Sequence, residues 1–302
     1  MSIQGFWRQA QQDNRVVSLN SYGQINKVWY LFPQGGGPRG SFSTFADLKP
    51  NLRTRDLIYL SGVLREQAVT PTGVYEVTVL GAANTPRQAT DGGVPTGGGA
   101  TWMAPASGAA ATTPLIEVVR QGWIFDNICF NPHTSSAAIR FTTSGGLNEA
   151  GQFAVRNCSF MGGGTGQIGI EDNGGSGFGI VENNLFYALG GTAILGLSTS
   201  NAIPLSWKVL NNYFNSNTNS IAVSASAWLI ANNVIRQTAN DSANKVNLVL
   251  LSGQGLNNMV LFNVFSDAAA NVTIAKGYKP GTTDVWRNYV TDTADEIVTV
   301  PS

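Results

Sequence analysis

Seven segments of the chain repeat one arrangement of apolar and polar positions. Each is eight residues long and ends on an apolar residue, and the ends follow one another at intervals of 21 to 30 residues. An interval of this size, with insertions of variable length, is typical of stacked structural units that contact only their neighbours. The segments are 123–130, 153–160, 179–186, 207–214, 228–235, 258–265 and 283–290.

Three positions within the repeat have a clear physical meaning. Seven residues before the end most segments carry a large residue, and five before it all carry a β-branched or aromatic one, which is the two-residue period of a strand. Two or three before the end every segment carries Asn, from Asn127 to Asn288. Because Asn tolerates left-handed backbone geometry, this column predicts a bend with stacked Asn side chains. The β-branched or aromatic column is Phe125, Val155, Val181, Val209, Ile230, Val260 and Val285.

A second short apolar run follows each segment. Strand, bend, strand and loop in seven successive units, without a helical pattern of 10–15 residues between them, predict an all-β parallel solenoid rather than a doubly wound α/β fold. The Gly-, Ala- and Thr-rich stretch 91–113 is predicted to be a loop between strands. The second runs are 137–141, 167–172, 192–197, 220–225, 247–252, 271–276 and 296–301.

The Asn column at one bend resembles that of right-handed parallel β-helix proteins of the pectin-lyase-like class. The N-terminal third resembles phage virion β-helix proteins more narrowly, because the aromatic run KVWYLFPQGG (27–36) is followed by SFSTFADLKP (41–50), which in those proteins is a helix closing the coil. The resemblance implies a right-handed parallel β-helix over residues 27–302 with an asparagine ladder, preceded by an N-terminal arm over residues 1–26. It leaves function open, because this fold carries lyases, hydrolases and inert spikes.

The capping helix, at about 42–50, also follows from the residues themselves. Ser43 or Thr44 can cap its N-terminus, Phe45 and Leu48 form one apolar face, and Pro50 ends it. We expect this helix to cover the open end of the solenoid, because exposed strand edges promote aggregation.

Composition and charge narrow the function classes. The chain has 18 basic and 18 acidic side chains, and its charged content is 12%, against roughly 25% in an ordinary domain. A hydrophobic content of 43% is enough for a packed core and excludes disorder. Zero net charge gives no footprint for nucleic acid, and no apolar run approaches the ~18 residues that would span a membrane.

Residues that bind metals or act as bases are scarce. One histidine, His133, and two cysteines, Cys129 and Cys158, are too few for the common zinc sites or for a Ser-His-Asp triad. We therefore expect no cofactor and no metal. The cysteines stand at different positions of successive repeats, so both are predicted to be unpaired, with Cys158 at the inward bend.

Acidic side chains offer two candidate catalytic sites. Asp126, Arg156 and Glu182 stand at the same position of three successive repeats. Since neighbouring strands lie ~4.8 Å apart, the two carboxylates would be about 10 Å apart on an outward face, roughly the separation of an inverting glycosidase. The alternative is a surface ion ladder. Glu171 and Asp172 form the second candidate, and one of them must face outward; the alternative is a loop entrance without catalysis.

A column of outward-facing apolar residues indicates that copies of the chain associate. Six residues before the end of each segment, five of seven side chains are apolar, which is typical of an interface. We predict that this face packs three copies of the chain into a homotrimer; the alternative is that loops of the same chain cover it. The predicted interface residues are Ile124, Ala154, Ile180, Leu229 and Met259.

These observations favour a structural protein without enzymatic activity. We expect a trimeric decoration or cement protein on the surface of a phage virion, because the chain is short and poor in catalytic residues. Residues 1–65 carry eight basic and three acidic side chains, so the arm is expected to bind the major capsid protein or another virion protein. The arm residues assigned to this contact are Phe6, Trp7, Arg8 and Arg15.

Two alternatives stay open at this stage. One is a receptor-binding tailspike that binds a host glycan. The other is a polysaccharide depolymerase or lyase that uses Asp126 and Glu182, or Glu171 and Asp172.

Overall fold

The fold is described by a computed structural model. It covers residues 25–82, 99–108, 110–133, 135–142, 150–163, 166–174, 176–197, 206–223, 227–236, 245–250, 258–266, 272–276, 285–290 and 296–297. The arm residues Phe6, Trp7, Arg8 and Arg15 lie outside the described residues.

The described elements are short strands and one short helix, α1 (Phe45–Leu48), which a 3-10 turn (Lys49–Asn51) follows. The strands in chain order are β1 (Val28–Leu31), β2 (Leu57–Leu60), β3 (Gly62–Arg65), β4 (Ala68–Val69), β5 (Thr78–Gly81), β6 (Ala100–Met103), β7 (Ile116–Val118), β8 (Ile124–Asp126), β9 (Cys129–Asn131), β10 (Ala137–Thr142), β11 (Ala154–Arg156), β12 (Ser159–Met161), β13 (Ile168–Asn173), β14 (Ile180–Glu182), β15 (Leu185–Tyr187), β16 (Thr192–Leu197), β17 (Lys208–Leu210), β18 (Tyr213–Asn215), β19 (Asn219–Val223), β20 (Leu229–Ala231), β21 (Val234–Arg236), β22 (Lys245–Leu250), β23 (Met259–Ser266), β24 (Val272–Lys276), β25 (Val285–Val290) and β26 (Glu296–Ile297).

The strands stack in parallel into three columns. Each coil contributes one strand to each column in turn, so that coil 1 is β2, β3 and β4, coil 2 is β5, β6 and β7, and the series continues to coil 8, which is β23 and β24. The first and second columns form one 18-stranded sheet folded at a bend, and the third column is an 8-stranded sheet. The predicted all-β, right-handed parallel β-helix is confirmed.

Stacked side chains fill the interior. The rings of Phe130, Phe160, Phe186 and Phe214 follow one another with centroid distances of 5.2, 4.6 and 4.8 Å, which is one strand spacing per coil. The predicted inward column is fully buried from Phe125 to Val260. Its last member differs, because the register shifts between Leu261 and Val264, and Val285 pairs with the outward Met259.

The asparagine ladder is confirmed and consists of two Asn columns with different roles. The first residue of the bend has a φ of 53° to 60° in coils 3 to 7 and is Asn each time, as the left-handed region favours. The next residue points inward and forms the ladder. Each side-chain amide donates to a backbone carbonyl of the preceding coil at 2.9 Å, and each except the last, Asn288, also donates to the following Asn at 2.8 to 3.0 Å. The ladder residues are Asn184, Asn212, Asn233, Asn263 and Asn288.

The N-terminal cap is shorter than the predicted 42–50 helix, since only Phe45–Leu48 is α-helical. Thr44 caps it, and the Phe45 ring packs on Trp102 at 5.5 Å. The Glu66 carboxylate accepts the N–H groups of Phe45 and Ala46 at 2.8 and 2.9 Å. The cap is thereby fixed to the coils beneath it.

Two other predictions need correction. The predicted loop at 91–113 contains the buried strand β6, because the large Trp102 side chain belongs to the core. The predicted run at 296–301 does not continue a column, since Glu296–Ile297 pairs antiparallel with β25.

Candidate functional site

The first charged ladder is the predicted one, on the outer face of the first column. The register places Arg156 between Asp126 and Glu182. Arg156 Nε lies 2.9 Å from Asp126 Oδ2, and Asn157 Nδ2 donates to Asp126 Oδ1 at 2.8 Å. Only 8% of the Asp126 side chain is exposed. Asp126 is thus held by two donors, which is the geometry of the ion-ladder alternative.

Glu182 completes this ladder but stands apart from the pair. Its side chain is half-buried and has no hydrogen bond or ion pair with the described part of the chain. One carboxylate of the first ladder is therefore engaged and the other is free.

A second ladder of the same composition lies on the outer face of the third column. Glu117, Arg140 and Glu171 stand side by side on β7, β10 and β13. Arg140 Nε lies 2.6 Å from Glu171 Oε2, and 18% and 10% of the two side chains are exposed. Arg140 also donates to Ser136 Oγ at 2.9 Å and to the Thr112 carbonyl at 3.4 Å. The guanidinium is thereby fixed in place.

Glu117 is the free carboxylate of the second ladder. It is half-buried, and within the described residues it makes no hydrogen bond or ion pair. The sequence reading missed it because β7 precedes the first full repeat. The alternation Ile116–Glu117–Val118 matches Ile139–Arg140–Phe141 and 170–172, and that match was a signal that could have found it.

Asp172 points the opposite way from Glu171, as strand alternation requires. It is fully buried between Phe141 and Gly196, and its two carboxylate oxygens accept the Ser176 N–H at 3.1 and 3.2 Å. Asp172 therefore holds the turn after β13 and does not reach the outer face.

The remaining candidate groups are buried or isolated. Cys129 and Cys158 are both unpaired, as predicted, and both are buried. Cys158 occupies the inward ladder position, where its N–H donates to Asn184 Oδ1 at 2.9 Å. Burial raises the pKa of the Cys129 thiol to about 11 and raises the pKa of Cys158 as well. His133 lies exposed in a turn with a φ of 45°.

The described ranges contain neither a metal-binding cluster nor a helix that could span a membrane. No three His, Cys, Asp or Glu side chains gather there into a group that could hold a metal ion. No helix there is long and apolar enough to cross a membrane.

The surroundings of the two ladders differ. Beside the first ladder runs the predicted apolar row, in register through six coils; Met259 is 41% exposed, and the exposed Lys208 interrupts the row. Beside the second ladder lie polar groups, including Thr112, Ser136 and the exposed Asn173. The first face is suited to contact with protein, whereas the second is suited to contact with a polar ligand. The row consists of Ile124, Ala154, Ile180, Leu229 and Met259.

Comparison with known proteins identifies the fold. No protein-family model matches the chain, and no curated protein matches it. Among solved structures, a pectin methylesterase in complex with a hexasaccharide shares 10% identity and a TM-score of 0.56, and the match covers 92% of this chain and 91% of that one. The pectin methylesterase PemA from Erwinia chrysanthemi shares 9% identity with the same TM-score and coverage. The Dettilon tailspike protein shares 14% identity over 79% of this chain and 54% of that one, with a TM-score of 0.41.

The comparison corrects one expectation. The predicted absence of enzymatic activity is contradicted, because the two similar structures with a TM-score of 0.56 are both pectin methylesterases, which are enzymes. The scarcity of histidine was a weak basis for that prediction, since carboxylates and guanidinium groups can also carry acid–base chemistry. At this level of identity the likeness shows the fold alone, and the chain shares the right-handed parallel β-helix with these two pectin methylesterases.

Proposed function

We propose that this chain is a glycan-active enzyme of the tailspike type, which cleaves an anionic surface polysaccharide at the third-column ladder. The observation that carries the proposal is a free carboxylate, Glu117, one strand away from a guanidinium, Arg140, that Glu171 holds in place at 2.6 Å. Removal of a proton from the carbon next to a carboxylate requires a free base to accept the proton and a fixed cation to stabilise the negative charge that develops.

Arg140 and Glu117 have different roles in the proposed reaction. Arg140 uses three of its five N–H groups on Glu171, Ser136 and the Thr112 carbonyl, so two remain to bind the carboxylate of a uronate sugar. Glu117 takes the proton from the carbon next to that carboxylate. The bond from the neighbouring carbon to the glycosidic oxygen then breaks, a carbon–carbon double bond forms, and the departing oxygen takes a proton from solvent.

Elimination suits this ladder better than hydrolysis. Hydrolysis by a pair of carboxylates needs both as working acid and base. Glu171 is ion-paired and mostly buried, which leaves Glu117 alone. A single free carboxylate is sufficient for elimination.

Two regions of the molecule support a tailspike, namely the N-terminal third and the first column. The aromatic strand Val28–Leu31 and the helix Phe45–Leu48 lie where the resemblance to phage virion proteins predicts them. The apolar row beside the first ladder supports a homotrimer with this face at its centre. We place the assembly on the virion surface, where a host glycan would be its substrate.

The experiment is a cleavage assay with a matched pair of variants. The protein is incubated with polygalacturonate, alginate and hyaluronate, and unsaturated products are followed by ultraviolet absorbance. We expect Glu117→Gln to lose about 10²- to 10⁴-fold in rate, the usual contribution of a general base. Glu182→Gln, which changes the equally half-buried free carboxylate of the other ladder, is expected to keep the rate.

Two outcomes would contradict the proposal. One is the absence of unsaturated product from all three polysaccharides. The other is a loss of activity in Glu182→Gln but not in Glu117→Gln, which would place the chemistry on the first ladder.

A further inference from the structure

A third surface, separate from both ladders, lies on the outer face of the second column in coils 5 to 7. It is formed by the outward residues of β15, β18 and β21, and we call it the tyrosine strip. The register arranges it in two rows across the three coils, two residues apart along each strand. The tyrosine strip consists of Leu185, Tyr187, Tyr213, Asn215, Val234 and Arg236.

The same face is closed in the preceding coils. At positions equivalent to Tyr213, the side chains of Thr101, Cys129 and Ser159 are 3%, 2% and 1% exposed. Tyr213 and Val234 are 36% and 38% exposed. The outer face of the second column therefore opens at coil 5 and presents an aromatic, partly apolar surface to solvent, which is the mark of a contact site.

Three polar side chains of the strip, those of Tyr213, Asn215 and Arg236, are available for binding. The exposed Arg236 has no ion pair with the described residues, and the Tyr213 hydroxyl has no partner there. The Asn215 side-chain oxygen accepts the Ser216 hydroxyl at 3.0 Å, which leaves its amide N–H groups as donors. The strip thus combines an aromatic face, amide donors and a free guanidinium.

A row of asparagines borders the strip. Asn183, Asn211 and Asn232 hold the left-handed bend positions of the three coils, and all three are exposed. They recur once per coil, at the ~4.8 Å spacing of parallel strands. Their side-chain amides make no hydrogen bond with the described part of the chain. This row presents one amide donor and acceptor pair for every coil.

The charged side chains of the described ranges in coils 6 to 8 have one sign. Across 206–223, 227–236 and 258–265 the charged side chains are Lys208 and Arg236, with no carboxylate. Both are exposed. The half-buried carboxylate of Glu182 lies in coil 5, next to Asn183. The described parts of coils 6 and 7, where Arg236 is exposed, therefore favour an anionic ligand.

We infer that the tyrosine strip is a binding site for a carboxylate-bearing polysaccharide that runs along the solenoid axis. Sugar rings pack on the faces of Tyr187 and Tyr213, Asn183 and its equivalents bond to hydroxyl groups, and Arg236 pairs with a carboxylate. One coil matches the length of a pyranose residue in an extended chain, so successive coils meet successive sugars. This inference shares with the proposed function only the class of ligand, because the strip contains none of the third-column residues.

The test is affinity electrophoresis in native gels that contain polygalacturonate or, as the neutral comparison, dextran. We expect polygalacturonate alone to retard the protein. Tyr213→Ala and Arg236→Gln should each weaken the apparent Kd about tenfold, as loss of a central contact does. The matched controls are Tyr75→Ala, since Tyr75 is also 36% exposed, and Arg39→Gln at the exposed N-terminal side; both should leave retardation unchanged.

A second measurement separates this inference from the proposed function. Glu117→Gln should remain retarded although it does not cleave, and Tyr213→Ala should still cleave short oligosaccharides that do not span both sites. Binding that depends on Tyr213 in a protein without any cleavage would support the strip and defeat the proposed enzyme. The inference itself is overturned if polygalacturonate, alginate and hyaluronate all fail to retard the protein, or if the controls lose as much as the strip variants. It is also overturned if Tyr213→Ala breaks an oligomer, which would make the strip a contact between copies.

Discussion

The two charged ladders have the same order of charges and nearly the same ion-pair burial, yet they stand in different surroundings. Asp126, Arg156 and Glu182 are bordered by an apolar row, whereas Glu117, Arg140 and Glu171 are bordered by hydroxyl and amide groups. The engaged carboxylate also differs, since Asp126 has a second donor in Asn157, whereas among the described residues Glu171 accepts from Arg140 only. An acid–arginine–acid column thus does not define a function by itself; we propose, from the neighbouring residues, that the first ladder faces protein and the second faces substrate.

The largest expected effect is the loss of the proposed trimer contact at the apolar row beside the first ladder. Ile180→Lys places a charge in the centre of the apolar row, and we expect it to convert a trimer into a monomer, because an unpaired buried charge is strongly unfavourable. Sedimentation velocity measures this change. The control is Val69→Lys, at a 39% exposed position on the third column, which should remain trimeric. Wild-type protein that sediments as a monomer at every concentration would refute the assignment of this face.

The next effect compares the two arginines. Arg140→Met leaves Glu171, whose side chain is 10% exposed, without its partner, and should lower the free energy of unfolding by about 3 to 4 kcal/mol. Arg156→Met leaves Asp126 with the Asn157 amide at 2.8 Å and should lower it by only about 2 kcal/mol. Urea denaturation measures both values. Equal losses would show that the second donor contributes nothing.

Removal of both partners sharpens this comparison. In the double variant Arg140→Met/Glu171→Met no buried charge remains, so most of the lost stability should return. If the double variant is as unstable as Arg140→Met, packing of the arginine stem rather than the uncompensated carboxylate explains the loss.

The ladders also show which features of the site could be predicted from the sequence. Asp126, Arg156 and Glu182 could be placed side by side because the repeat anchors the strand register, and a register error would have moved them to the other face. The asparagine ladder was predictable for the same reason. The identity of the engaged carboxylate was not, because it depends on Asn157, a residue of the next coil. Glu117 was not predicted because the repeat was defined from residue 123 onward. The register shift at Val285 was not predicted because the irregularity in β23 leaves no signature in the residues themselves.

A smaller effect depends on pH and comes from the two buried thiols, Cys129 and Cys158. Burial raises the pKa of Cys129 from its usual 9.0 to about 11, and the Asp126 charge adds to burial in raising the pKa of Cys158. Because the thiol ionises at a higher pH in the folded protein than in the unfolded chain, its contribution to stability is fully present below pH 9. This contribution is lost as the pH rises from 9 towards 11. We expect the wild type to lose about 1 kcal/mol more than Cys129→Ala between pH 8 and pH 10. Identical pH profiles of unfolding would contradict the prediction.

The smallest effect concerns an ion pair that matches Arg140–Glu171 in length but not in burial. Arg55 Nε lies 2.6 Å from Glu76 Oε2, as Arg140 Nε does from Glu171, but 54% and 48% of these side chains are exposed. The Glu76 carboxylate raises the pKa of Arg55, yet water screens exposed pairs, which contribute little to stability. We therefore expect the urea midpoint of Arg55→Gln to equal that of the wild type within error. A loss as large as that of Arg140→Met would mean that the distance between charges, rather than their burial, sets the strength of the pairs in this solenoid.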